Sequence, residues 1–275
     1  MFEIDELKLY SGCDVKITDK IIVTQPSLLQ IREFGEKRYF SAVHTLTSVG
    51  ADLKWQLMDY CKIDYTTIDD YDLFIKLICR MVSSQKRLLA MWKSNPEQYK
   101  NELDNLNSDD IINMTTNPLE LVLKDIDLAD FDIYKSNADD EMFLYNKEKD
   151  ITINRLRYNQ IVDVVRKIHG FKRNNEIPGN EATKQILIED AREEAILSTR
   201  KPYKSILKPL ISALSVSTGQ CGDDRIWNMK INMFFDNIKR TSKIQDAQLL
   251  LQGAYSGFSS LKGIDKSRLD WAGDI

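Results

Sequence analysis

The sequence predicts an α+β fold that is predominantly helical, with an N-terminal β-hairpin, a small central antiparallel sheet and a C-terminal helical bundle. Three observations carry this. Apolar residues recur at helical spacing in several windows, most clearly after residue 154. Short runs of alternating apolar and polar residues, bounded by turn formers, occur near residues 15–23 and 119–153. Hydrophobic residues make up 43% and charged residues 29% of 275, ordinary globular usage that lets a chain of this length bury a core without disulfides or metals.

The elements follow in chain order. Residues 6–23 read as strands, with Val15, Ile17, Ile21 and Val23 alternating about a tight turn at Thr18-Asp19-Lys20. Gln25-Pro26-Ser27 breaks this pattern. Pro26 suits the first turn of a helix, where a missing N–H costs nothing, and Gly35 ends that helix after Phe34. Tyr39 to Cys61 gives two short helices separated by Gly50. Thr67 with Asp70 three residues on is a capping-box pattern. It precedes a helical stripe of Leu73, Leu77, Ile78, Met81 and Val82 that runs to about Ala90. Residues 96–118 are polar and weakly patterned, so a loop or a short frayed helix is expected there.

Strand-like text follows at Leu119, Leu121 and Leu123, then around Ile126, Leu128, Phe131 and Ile133, then at 142–145 and 151–153. The interspersed Asp125, Asp127, Asp130 and Asp132 are expected to face water, where they discourage pairing with other chains. Asn154 caps a helix that Gly170 stops. Ile177-Pro178-Gly179-Asn180 is a turn, and residues 181–200 form a strong helix. Pro202 and Pro209 mark breaks or kinks. A short apolar helix spans 207–216. Asp223 or Asp224 caps the next helix, whose face is Trp227, Ile231, Phe234, Phe235 and Ile238. Another helix carries Ile244, Ala247, Leu250, Leu251 and Ala254.

Charge is unevenly distributed. Residues 1–94 hold 13 basic and 13 acidic side chains, residues 95–150 hold 5 and 15, and residues 151–275 hold 20 and 14. The segments are therefore neutral, −10 and +6, which sums to −4. The division suggests three regions: 1–95 as hairpin plus helices, 96–153 as an acidic loop and small sheet, and 154–275 as a helical part that packs on the first. It also suggests that the acidic middle lies against the basic C-terminal part, within a chain or between chains.

The chemistry of the sequence argues for binding over catalysis. The two histidines, His44 and His169, have no partner at zinc-ligand spacing. His169 just before Gly170 reads as structural. Asp125-x-Asp127 opens like a calcium loop, but Asp130 stands where glycine is needed and Ser136 where glutamate is needed. Ser217 to Gly222 lacks the spacing of a phosphate loop, and Gly253-Ala254-Tyr255-Ser256-Gly257 puts serine one place late for a nucleophile elbow. No cofactor or metal and no catalytic residue is expected. Arg155, Arg157, Arg166, Lys167, Lys172 and Arg173, with Arg200-Lys201-Pro202-Tyr203-Lys204, form basic clusters, but an acidic chain with pI 5.4 and no reader motif argues against nucleic acid. Scattered Cys13, Cys61, Cys79 and Cys221 suit reduced thiols, the acidic N-terminus does not resemble a secretory signal, and no apolar run spans a membrane.

Three segments together resemble a known family: Val23-Thr24-Gln25-Pro26-Ser27 through Gly35-Glu36 and Tyr39-Phe40 to Asp72-Leu73-Phe74; Asn232-Met233-Phe234-Phe235-Asp236; and Leu250 through Gly253-Ala254-Tyr255-Ser256-Gly257, with Trp271 near the end. They resemble tail-module proteins of long-tailed bacteriophages infecting Gram-positive bacteria, in particular tail assembly chaperones. The resemblance covers about the first eighty and last fifty residues. It implies a non-enzymatic protein of the host cytoplasm that binds amphipathic helices of the tape measure protein, or other phage tail proteins, during tail morphogenesis. Self-association is a further partner mode. The alternative is a structural subunit of the virion tail, and a further one is a hydrolase or nuclease. Adaptable apolar side chains suit helix capture, which singles out Met229, Met233, Phe234, Phe235, Tyr255 and Phe258 as partner-binding residues.

Overall fold

The computed structural model of the chain describes residues 3–78, 88–107, 116–137, 140–219, 224–257 and 264–273. It is α+β and mostly helical, with a two-stranded hairpin near the N-terminus and a three-stranded antiparallel sheet in the middle.

The expected strand over residues 6–14 is in part a helix, α1 (Glu6–Tyr10). Asp5 caps it by accepting the Lys8 amide at 3.0 Å, and Glu6 sits in the positive first turn, so local capping overrides the alternation. The hairpin is confined to β1 (Val15–Lys16) and β2 (Ile22–Val23), with Val15 opposite Val23. The Thr18 hydroxyl closes its turn by accepting from the Ile21 amide.

Helix α2 (Leu28–Phe34) has a complete capping box between Ser27 and Gln30 and ends at Gly35, whose φ of 100° favours glycine. Pro26 lies outside the helix instead of in its first turn. Its carbonyl accepts from Ile231 N, and Leu28 N donates to Met229 O, so this chain break docks on the C-terminal part. The buried Gln25 amide donates to the carbonyls of Leu9 and Cys13 and ties α1 to the hairpin.

Helix α3 (Glu36–Thr47) leads into a graded helical segment: a 3₁₀ turn Gly50–Leu53, α4 (Lys54–Gln56) and a π turn Leu57–Cys61. A β-carbon at Gly50 would lie 2.1 Å from the Tyr65 carbonyl oxygen, so only glycine permits this approach. Helix α5 (Asp70–Leu73) continues as a π turn, Phe74–Ile78. Its cap is Asp69, which accepts from the amides of Tyr71 and Asp72; the Thr67 capping box does not form, because the Thr67 hydroxyl donates to the Asp64 carbonyl. The expected stripe residues Met81 and Val82 lie outside the described residues. Helix α6 spans 88–94 and α7 is Lys100–Asp104.

Leu119, Leu121 and Leu123 do not form a strand. Asn117 folds the chain into a turn by accepting from Leu119 N and donating to Ile126 O, and Leu123 alone bridges to Val23. The sheet itself is β3 (Asp132–Lys135), β4 (Met142–Asn146) and β5 (Ile151–Ile153), in that order. Leu144, Ile151 and Ile153 point into the core, while Asp125, Asp130 and Asp132 face solvent as expected; Asp127 does not, being half-buried because its carboxylate accepts the Ala129 amide and caps a short 3₁₀ turn.

Helix α8 (Arg155–His169) is the spine of the fold. Asn154 caps it, Gly170 ends it with φ 65°, and its apolar face of Tyr158, Ile161, Val162, Val164, Val165 and Ile168 is fully buried. Burying each such side chain is worth roughly 1.5–3 kcal/mol, so this face alone outweighs any cap. Helix α9 (Glu181–Thr199) is capped by Asn180. In α10 (Leu207–Ser217), Pro209 sits in the first turn and causes no kink, and Glu36 of α3 accepts the amides of Ile206 and Leu207 at 2.7 Å each.

The expected helix through Trp227 and Ile238 is broken. Helix α11 (Asp224–Asn228) stops, Lys230 is extended and bridges to Ser27, and α12 (Ile231–Tyr255) then runs unbroken for 25 residues. No glycine or proline interrupts residues 231–252, so the two expected helices fuse. The principal core draws on residues of all three charge segments, from Leu9 to Phe234, and a second, smaller core lies around Val49, Leu57, Tyr65, Leu73 and Ile188.

Candidate interaction surface

The partner-binding residues expected from sequence fall into three environments. Phe234 is fully buried in the principal core, so no partner reaches it in this fold. Met229 and Phe235 are half-buried and pack against the same core; Met229 receives the Asn237 amide on its sulfur. Met233 is half-buried. Tyr255, at the end of α12, is 88% exposed. Phe258 lies outside the described residues. The structure therefore separates a buried anchor at the start of α12 from an exposed surface at its far end.

That surface follows from how α12 is packed. Ile231 and Phe234 enter the core and Ile238 packs against it, which fixes the first two turns. Further along only Ala247 is buried, while Leu249 is 68% exposed. On α10, Leu207 and Leu214 face the core and Val216 points to solvent. The C-terminal segment folds back on α12: Arg268 forms a bidentate ion pair with Asp246, and Arg240 donates to the carbonyls of Trp271 and Gly273. Between them runs an open groove lined by Ile238, Lys239, Ser242, Lys243, Asp246, Ser267 and Arg268.

Much of the basic cluster over residues 155–173 is engaged within the chain. Arg155 contacts Asp69, Asp72 and Glu141; Arg166 donates to the Thr47 carbonyl; Lys167 pairs with Glu6; Arg173 grips Asp70. The C-terminal cations thus meet carboxylates mainly of the first segment, and Arg155–Glu141 joins them to the acidic middle.

His169 is buried and structural. Its Nδ1 lies 2.7 Å from the Val165 carbonyl, which only accepts, so Nδ1 carries the proton; Nε2 then accepts from the Tyr39 hydroxyl at 2.7 Å. Burial lowers its pKa to about 4 and raises that of Tyr39. His44 is exposed, with Nδ1 2.9 Å from the Ser48 hydroxyl. Among the described residues no cluster of His, Cys, Asp or Glu is arranged to hold a metal, and no helix is long and apolar enough to cross a membrane. Cys13 and Cys61 are free thiols.

Sequence reasoning missed one region. Helix α9 lies across the 50–65 segment, joined by two ion pairs and one buried isoleucine, and the only trace in the text was the excess of cations after residue 151.

No curated protein and no solved structure matches the chain. Residues 200–275, which hold α10, α11, α12 and the segment folded back on α12, match the family model described as the YomV second domain, a phage-derived family of Bacillus prophage origin.

Proposed function

We propose that this protein is a non-enzymatic factor of phage tail assembly, which binds amphipathic helices of the tape measure protein as a chaperone. The observation that carries the reading is the exposure of Val216, Leu249 and Tyr255 on α10 and α12, within the segment that matches the prophage family. An amphipathic helix gains by covering such side chains, and polar neighbours such as Lys243, Asp246 and Arg268 supply a rim.

Co-expression with the long helical tail protein of the same gene cluster tests this. The expected result is co-purification and a higher soluble yield of that protein. Leu249→Ser with Tyr255→Ser should lower the recovered complex severalfold while leaving the unfolding midpoint in place. Failure to co-purify, with no gain in solubility, removes the chaperone reading. Its presence in purified virions would instead assign it as a structural tail subunit.

A further inference from the structure

Helix α9 is held in an unusual way. Of its 19 residues only Lys184 and Ile188 are buried, and Ile186, Ile196 and Leu197 are exposed. Ile188 drops into the small core formed by Val49, Ala51, Leu57, Tyr65 and Leu73. Four residues to either side, Lys184 reaches Asp64 at 2.6 Å and Arg192 makes a bidentate pair with Asp59 at 2.8 and 2.9 Å. The helix is thus a one-anchor ligand with a basic residue one turn above and one turn below its anchor, on a floor whose rim is acidic. Both ends are joined by connectors without regular structure: residues 171–179 before it, tied to the floor and its neighbour α5 by Lys54–Glu176, Asn174–Asp52 and Arg173–Asp70, and residues 200–205 after it.

The floor carries two signs of an incomplete contact. The Tyr65 hydroxyl and the Gln56 side-chain oxygen are buried without a hydrogen-bond partner among the described residues, and Tyr65 as a whole is 3% exposed. Orphaned buried polar atoms are rare, and helix α9 offers them nothing. The floor is also built from consecutive 3₁₀, α and π turns, with Lys62 in the left-handed region at φ 54°. Such mixed helices mark sites that change shape.

We propose that α9 is a displaceable internal ligand. The groove beneath it takes, from another polypeptide, an amphipathic helix with a branched aliphatic side chain flanked by lysine or arginine four residues to each side. Asp59 and Asp64 select the cations, and Leu57, Leu73 and Val49 accept the aliphatic group. The inference rests on the reading of this chain as a binder of helical polypeptides and names a second, gated site for it.

Two measurements on the full chain test it. The first is amide hydrogen exchange: α9 should exchange at least tenfold faster than α8, because it opens locally. Exchange of α9 within threefold of α8 overturns the proposal. The second uses a fluorescent peptide of residues 180–200 as the probe. A chain loosened by Ile188→Ser and Arg192→Ala should bind it at least tenfold more tightly than the unaltered chain, and adding Asp59→Lys should reverse that gain. Equal affinities, or no binding by a loosened chain whose α8 amides stay protected, overturn it. If loosening also strips protection from α8, exchange on the unaltered chain decides. A groove that takes the peptide, in a protein that never co-purifies with the tape measure protein, keeps this inference and removes the tail-assembly reading; co-purification with a groove that never opens does the reverse.

Discussion

Single residues set the most local terms of this fold, and His169 is the clearest. It stays neutral because burial holds its pKa at about 4 against an ordinary 6.5, outweighing the Nδ1–H bond to the Val165 carbonyl, which pulls the other way; Tyr39 donates to the remaining ring nitrogen. The folded pKa is depressed, so its stabilising effect is complete above about pH 6.5 and fades as pH falls towards 4. At pH 4.5 the loss is about 2–3 kcal/mol, at 1.36 kcal/mol per unit. Urea denaturation at pH 7.5 and 4.5 should show that gap, and His169→Gln should lose most of it. Gly50 acts through space. An alanine there forces its β-carbon onto the Tyr65 carbonyl, and we expect a cost of about 1–3 kcal/mol, read as a lower thermal midpoint. Neither effect could be read from the text: Gly50 stood out only as a separator of helices, and Tyr39 is 130 residues from its histidine.

Elements differ in how they are held. Helix α8 is fixed by a continuous buried face and two local caps, all legible in sequence because capping and 3.6-residue periodicity are short-range. Removing the cap with Asn154→Ala should cost about 1 kcal/mol of global stability by denaturant unfolding. Helix α9 has an N-cap at Asn180 and little buried surface, so its docking leans on Ile188 and two ion pairs. The Lys184 hydrogen bond holds the Asp64 pKa at about 2, below the usual 3.8, so this contact persists above about pH 4 and is lost as pH falls towards 2. Salt should act similarly: 1 M sodium chloride should speed exchange in α9 and leave α8 unchanged, because partly exposed pairs are screened. The break between α11 and α12 belongs to this scale too. Residues 224–238 are periodic enough for one helix, yet Lys230 is extended because it pairs with Ser27, two hundred residues away.

At the scale of the whole molecule, charge segregation resolves into contacts. The cations of 151–275 clamp α9, its connector and α8 onto carboxylates of residues 6–72, while the sheet's aspartates face solvent. The exposed apolar ends of α10 and α12 lie within the part that matches the prophage family, and that coincidence underlies the proposed role in tail assembly. Replacing Leu249 and Tyr255 should leave stability within about 0.5 kcal/mol, as for other surface sites, so any loss of partner capture reports on the surface and not on the fold.

The amino-acid sequence by itself determined the α+β class, the hairpin, the central sheet, the stop of α2 at Gly35 and both ends of α8, since each depends on residues within a turn or two of one another. It also picked out Tyr255 as a candidate contact. Only the tertiary structure decided that Phe234 is core, that α12 is one long helix, that His169 is a neutral buried partner of Tyr39, and that α9 docks on the 49–73 segment through Ile188, Lys184 and Arg192. Those outcomes depend on which distant surfaces meet, and periodicity records that a face is apolar without recording what covers it.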